Sequence, residues 1–175
     1  MNEFFIIWFT ICLTAHIAYT FTHIAKNSDR YTKLTRLTKK HKTVPSASLF
    51  IGYISYFAMI YSDPEKITSS LYPLDMIGLI FIGLGFVVLV LAAEKHKYTR
   101  PGTLPTFGIY SKLRHPYYYA FALILMGLAI YAGSIYTLAT CVIWVPLIMY
   151  WRTISELHQL RKYKSYIKYK DKTWF

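Results

Sequence analysis

Two short stretches hold the residue types that can do chemistry. In the first, GIYSKLRHPYYYAFA over 108–122, Lys112, Arg114 and His115 stand directly before Pro116 and three consecutive tyrosines. Proline suits a first helical position, where its missing N–H is not needed and its fixed dihedral fits. A helix start presents backbone N–H groups and the positive end of the helix dipole, which attract anions. Arg114 beside such a start makes a site for a carboxylate or a phosphate. His115, whose unperturbed pKa lies near about 6.5, is either a further anion contact or a general base.

In the second stretch, RTISELHQLRKYKSYIKYK, Arg152 and Glu156 are four residues apart and share a helix face. Glu156 is the only acid between Glu94 and Asp171. It either pairs with Arg152 or takes a cationic or hydroxyl-rich ligand. If both stretches return to one membrane face, they would grip a zwitterionic small molecule. Each residue alone has an ordinary reading: Arg114 as a boundary charge, Pro116 as a helix start, Tyr117 to Tyr119 as an interfacial belt. The functional reading rests on the combination.

The elements that must position these residues follow from charge and hydropathy. The chain has 175 residues, 55% hydrophobic, with eight acids against twenty Lys and Arg. Only 16% are charged, below the quarter or so of a soluble domain, and the charges are clumped between apolar runs. This predicts an all-α integral membrane protein of one domain, with spans at about 4–25, 44–61, 71–93, 116–131 and 134–151. Ala132 and Gly133 alone separate the last two, which predicts a C-terminal helical hairpin. Tyr163, Tyr166 and Tyr169, spaced among lysines, predict an interfacial tail helix.

Charge sets the expected orientation. Seven Lys and Arg lie in 26–42, five in 94–115 and seven from 152 onward, whereas the loop 62–70 holds only Lys66. Five spans put nineteen of the twenty on one side, so the N-terminus lies outside and the C-terminus in the cytoplasm. A plasma (inner) membrane or an endoplasmic reticulum location suits this. The net charge of +12 then belongs to a lipid surface, and no nucleic-acid partner is expected. The opening MNEFF carries no basic n-region, which suggests a retained first helix.

Other candidates read as structural. His16 and His23, seven apart, are about 10 Å apart by helical rise, too far for one metal ion. Cys12 and Cys141 fall within spans as small apolar residues, so no metal site is expected. Gly78, Gly83 and Gly85 permit close helix approach. Pro146 is a possible kink, and Asp75 an interfacial acid.

The run GIYSKLRHPYYYA, the hairpin and RTISELHQL resemble the isoprenylcysteine carboxyl methyltransferase and phospholipid methyltransferase family. That family carries G-x-Y-x-x-x-R-H-P-x-Y-x-G, a helical hairpin, then R-x-x-x-E-E with a tyrosine tail. The matching positions are Gly108, Tyr110, Arg114, His115, Pro116, Tyr118, Arg152 and Glu156. Ala120 stands where the family has glycine, and Leu157 where it has a second glutamate. The resemblance covers the last 70 residues or so and implies a cofactor-binding half over about 94–175. It implies S-adenosylmethionine as methyl donor and a lipophilic acceptor, a prenylcysteine carboxylate or phospholipid amine, entering from the bilayer. Gly108, Tyr110, Arg114, His115, Pro116, Tyr118 and Glu156 would bind the donor, with His115, Arg152 and Glu156 catalytic. An NADPH-dependent sterol reductase-like enzyme, or a non-enzymatic transporter subunit, is the alternative. Oligomeric state is left open.

Overall fold

The computed structural model describes residues 3–32, 40–67, 72–97, 106–160 and 164–174. Within these, side chains are described except at 20–32, 40–46, 49, 72, 96–97, 148, 151–152, 154–160 and 164–165. The elements are α1 (Glu3–Thr32), α2 (Lys40–Ser62), α3 (Tyr72–Lys97), a 3-10 turn (Gly108–Ser111), α4 (Pro116–Tyr131), α5 (Ile135–Leu160) and α6 (Lys164–Lys170). Among the described residues no strand forms, only two isolated bridges, so the fold is all-α as composition predicts.

One described helix, over Pro73–Lys95, is long and apolar enough to cross a membrane. Its 23 residues rise about 34 Å, against a hydrocarbon core of about 30 Å. The other apolar helical stretches, Glu3–Tyr19, Phe50–Ser62, Pro116–Tyr131 and Ile135–Leu147, are shorter. The helices overrun the expected spans where polar residues follow the apolar run. α1 continues to Thr32 and α5 to Leu160, and Pro146 lies inside α5 without ending it.

The chain divides into two compact units, Met1–Ile67 with Ser134–Gln159, and Thr68–Gly133 with Leu160–Phe175. In the first, α1 packs on α2 with Gly52 beneath the His16 ring, where a Cβ would come within 2.9 Å of Cε1. His16 Nδ1 donates to the Cys12 carbonyl of its own helix at 2.8 Å. His23 lies outside the described side chains. Buried Cys141 donates through Sγ to the Tyr56 hydroxyl at 3.1 Å.

The start of α5 is capped from 74 residues away. Buried Asp63 accepts from the Thr137 N–H at 2.9 Å and the Thr137 hydroxyl at 3.0 Å, both on Oδ2. Its Oδ1 takes the Glu65 N–H at 3.1 Å, and the Glu65 carbonyl accepts from Ile135 N at 3.2 Å. A carboxylate at this end meets the helix donors and the positive end of the dipole.

In the second unit α3 and α4 lie antiparallel with their backbones in contact. A Cβ on Gly78 would stand 2.9 Å from the Gly127 carbonyl oxygen, and one on Gly127 only 2.7 Å from that of Gly78. Two turns along, Gly85 faces Ala120, whose carbonyl oxygen would be 2.8 Å from the added carbon. Ala120 is fully buried, and the Ile124 side chain lies still nearer, at 2.6 Å from the added carbon. Gly83 differs from expectation, with nothing within 4 Å. At about 100° per residue, position 85 returns to the face of 78, while 83 lies about 140° away. α4 ends with Gly133 at φ +63°, its N–H bonded to the Ile130 carbonyl at 3.0 Å, and α5 begins two residues on.

This seam predicts opposite outcomes for two identical substitutions. Gly127→Ala should destabilise by about 1–3 kcal/mol, because the methyl group meets backbone that cannot yield. Gly83→Ala should be neutral or stabilise by up to about 1 kcal/mol, through helix propensity. Thermal unfolding in detergent, followed by circular dichroism, checks both. Equal shifts of the same sign would contradict the seam.

Candidate functional site

Six of the predicted site residues, Gly108, Tyr110, Arg114, His115, Pro116 and Tyr118, fall in one continuous segment of the second unit. The segment opens at Gly108, whose φ of +62° is left-handed and suits glycine. The Lys95 side chain lies against its Cα, where an added Cβ would be 2.9 Å from Lys95 Cγ. One 3-10 turn follows, closed by Lys112 N to the Ile109 carbonyl at 3.1 Å and Leu113 N to the same oxygen at 2.9 Å. The Ser111 hydroxyl donates to the Gly108 carbonyl at 2.7 Å.

Tyr110 is buried. Burial pushes its hydroxyl well above the usual tyrosine range, with the neighbouring Tyr117 and Tyr169 adding to the shift. It therefore stays protonated and able to donate a hydrogen bond at physiological pH.

α4 starts as its sequence predicts. His115 is the N-cap residue, Pro116 takes the first helical position and is buried, and the Tyr118 N–H returns to the His115 carbonyl at 2.9 Å. The His115 side chain makes no capping bond. Its ring instead stacks on Tyr118, three residues ahead, with centroids 5.2 Å apart and planes 12° apart. That contact fixes the imidazole beside the positive end of α4.

Arg114 precedes it. Its Nε is buried and, among the described residues, meets no hydrogen-bond partner. The ion pair among the described residues joins Lys95 and Glu94, so no acid there neutralises Arg114. A buried guanidinium nitrogen at a helix start favours an acceptor of negative charge.

The tail closes over this segment. Tyr169 donates its hydroxyl to the Tyr110 carbonyl at 2.7 Å. Trp174 N donates to the Lys112 carbonyl at 2.8 Å, and Arg114 N to the Trp174 carbonyl at 3.2 Å. Tyr166 is 2% exposed. The Tyr169 hydroxyl thus turns onto the site segment, a contact that an interfacial helix alone would not supply. Tyr163 lies outside the described residues. The Tyr169 hydroxyl and the backbone of residue 174 are the contacts to this segment that sequence reasoning missed. The Tyr-x-x-Tyr spacing was the signal for Tyr169, but spacing names no partner.

Arg152 and Glu156 lie on α5, four apart on one continuous helix, and belong to the first unit. Their side chains lie outside the described residues. Among the described residues no group of three His, Cys, Asp or Glu could hold a metal ion.

Residues 1–173 match a family described as a protein of unknown function, DUF1295. No curated protein and no solved structure matches the chain significantly.

The left-handed turn gives a local test. Gly108→Ala should cost about 1–2 kcal/mol of stability, the price of a Cβ in that conformation. Gly108→Asn should cost less, because asparagine visits it more readily. Chemical denaturation of the two variants measures the order. An alanine variant as stable as the parent would remove the constraint.

Proposed function

The chain belongs to the DUF1295 family, and from that premise we propose an integral membrane enzyme that transfers a methyl group from S-adenosylmethionine to a lipophilic acceptor. The observation that carries the reading is the buried Arg114 Nε at the start of α4, within a segment resembling the methyltransferase motif. A carboxylate satisfies that nitrogen, and the donor has one.

The membrane reading rests on α3. Leu79, Ile80, Leu84, Phe86, Val87 and Val90 are all about half exposed or more, so this helix is not the hidden core of a soluble domain. Nor is it placed as an N-terminal leader. Lipid is the solvent in which such a surface is stable. The five-span reading extends this to the four shorter apolar helices. The basic segments then face the cytoplasm, N-terminus outside, by the distribution of twenty Lys and Arg.

The donor, when bound, supplies a methyl carbon already activated by a sulfonium. The chain's own residues then hold, orient and exclude water. Arg114 and the α4 start hold a carboxylate, with His115 beside them. Tyr110 and Tyr118 shape the pocket wall, and Gly108 and Pro116 set the backbone. The roles of Arg152 and Glu156 rest on their spacing and the resemblance: Arg152 orients an anionic acceptor, and Glu156 takes an ammonium or ribose hydroxyls. Acceptor chemistry decides what His115 does. A carboxylate acceptor has no proton to lose, whereas an amine must release one, and the imidazole is the group suited to take it. The acceptor class is an isoprenylcysteine carboxylate or a phospholipid amine, reached from the bilayer.

Isothermal titration of the detergent-purified protein with S-adenosylhomocysteine tests the reading. Binding is expected, with no response to NADPH. Binding of NADPH and silence toward the sulfur nucleosides would replace this reading with a reductase. Glu156→Gln should weaken donor binding at least tenfold, about 1.5–3 kcal/mol for a charge-assisted bond in a desolvated site. As a surface partner of Arg152 it would be worth only about 0.3–0.5 kcal/mol, leaving donor affinity unchanged.

A further inference from the structure

The tail after α5 is short, basic and rich in aromatics, and the roles proposed above name none of its residues. α6 spans only Lys164–Lys170, seven residues, too few to hold a helix without tertiary contacts. Burial of Tyr166 anchors it. Beyond α6 the chain stays tightly turned, with Asp171 N bonded to the Ile167 carbonyl at 3.1 Å and the Thr173 hydroxyl to the Tyr169 carbonyl at 3.0 Å.

That turn delivers the tail's polar groups to alternate residues of the site segment. The Tyr110 carbonyl receives the Tyr169 hydroxyl, the Lys112 carbonyl receives Trp174 N, and Arg114 N gives to the Trp174 carbonyl. The intervening Leu113 N–H is satisfied within the 3-10 turn. Three main-chain groups that the 3-10 turn does not bond, the Tyr110 and Lys112 carbonyls and the Arg114 N–H, are therefore bonded by the tail. The Trp174 side chain is 78% exposed, so this residue ties the segment through its backbone.

We propose that the C-terminal segment 166–174 is a positioning clasp for the anion site, with Tyr169 its principal positioning residue. It acts by holding the backbone of Tyr110 to Arg114, and so the direction from which the Arg114 guanidinium meets its ligand. The positioning role rests on the donor-binding reading above. The tie itself is independent of that reading. Loosening it removes no ligand-contacting side chain but widens the range of Arg114 conformations, and affinity falls as the site loses preorganisation.

Three variants of the full chain separate the cases: Tyr169→Phe, a truncation after Thr173, and Trp174→Ala as control. Two readouts are taken on each, S-adenosylhomocysteine affinity and amide hydrogen exchange over 109–115, with exchange over α4 reporting the fold. Tyr169→Phe should bind about three- to tenfold more weakly, the scale of one hydrogen bond. The truncation should weaken binding further. In both, exchange over 109–115 should quicken while α4 stays protected. Trp174→Ala keeps its backbone bonds and should match the parent in both readouts.

Unchanged exchange over 109–115 in the first two variants would overturn the clasp. Faster exchange with unchanged affinity would overturn its positioning role. A parent that binds no sulfur nucleoside would remove the methyl-transfer reading and the positioning role with it, and the exchange data would then stand as a structural tie alone.

Discussion

The backbone seam between α3 and α4 is the constraint from which the candidate site follows. Where Gly78 meets Gly127 and Gly85 meets Ala120, main chain of one helix comes against main chain of the other, with the Ile82 and Ile124 side chains packed beside these contacts. Such contact fixes the axial register of α4 against α3 as well as its distance. Register decides where α4 begins, and its first residues, Pro116 and the N-cap His115, carry the chemistry. In the membrane setting proposed for this chain, where burial of apolar surface offers little, close packing of small residues is the attraction available.

From that fixed start the site is assembled by short-range geometry. A left-handed glycine turns the chain into the 3-10 turn, and the turn carries Arg114 to the helix start. His115 is held by stacking on Tyr118. The outcome is a cationic, partly buried corner at the positive end of a helix, closed by the tail. The first unit uses the same physics with the sign reversed. There Asp63 sits at the start of α5 and supplies the negative charge itself. One helix start is thus filled by the protein's own carboxylate, and the other has none among the described residues.

The parts that were legible in sequence are those written in local chemistry. Apolar runs located α3, α4 and the start of α5, Pro116 marked the first turn of α4, and Gly133 marked its end. The six site residues from Gly108 to Tyr118 fell together because they are neighbours in the chain. Long-range partners were not legible. Asp63 and Thr137 are 74 residues apart, and Tyr110 and Tyr169 are 59 apart. No periodicity encodes such pairs. The tyrosines of the tail looked interfacial because their spacing among lysines suits a lipid surface as well as it suits a clasp. Gly83 looked like its neighbours because only the partner helix distinguishes one face of α3 from another. The run-on of α1 and α5 beyond their apolar stretches was hidden for a different reason: hydropathy marks the oily part of a helix, and hydrogen bonding continues past it.

The central claim, methyl transfer to a lipid-soluble acceptor, has a direct test. The protein is reconstituted with lipids extracted from its native membranes and incubated with S-adenosylmethionine carrying a tritiated methyl group. The organic-soluble fraction is then counted. The account predicts label in that fraction that rises with enzyme and time and is suppressed by excess S-adenosylhomocysteine. Label confined to the aqueous phase, from protein that binds the donor and is given its native lipids, would contradict it.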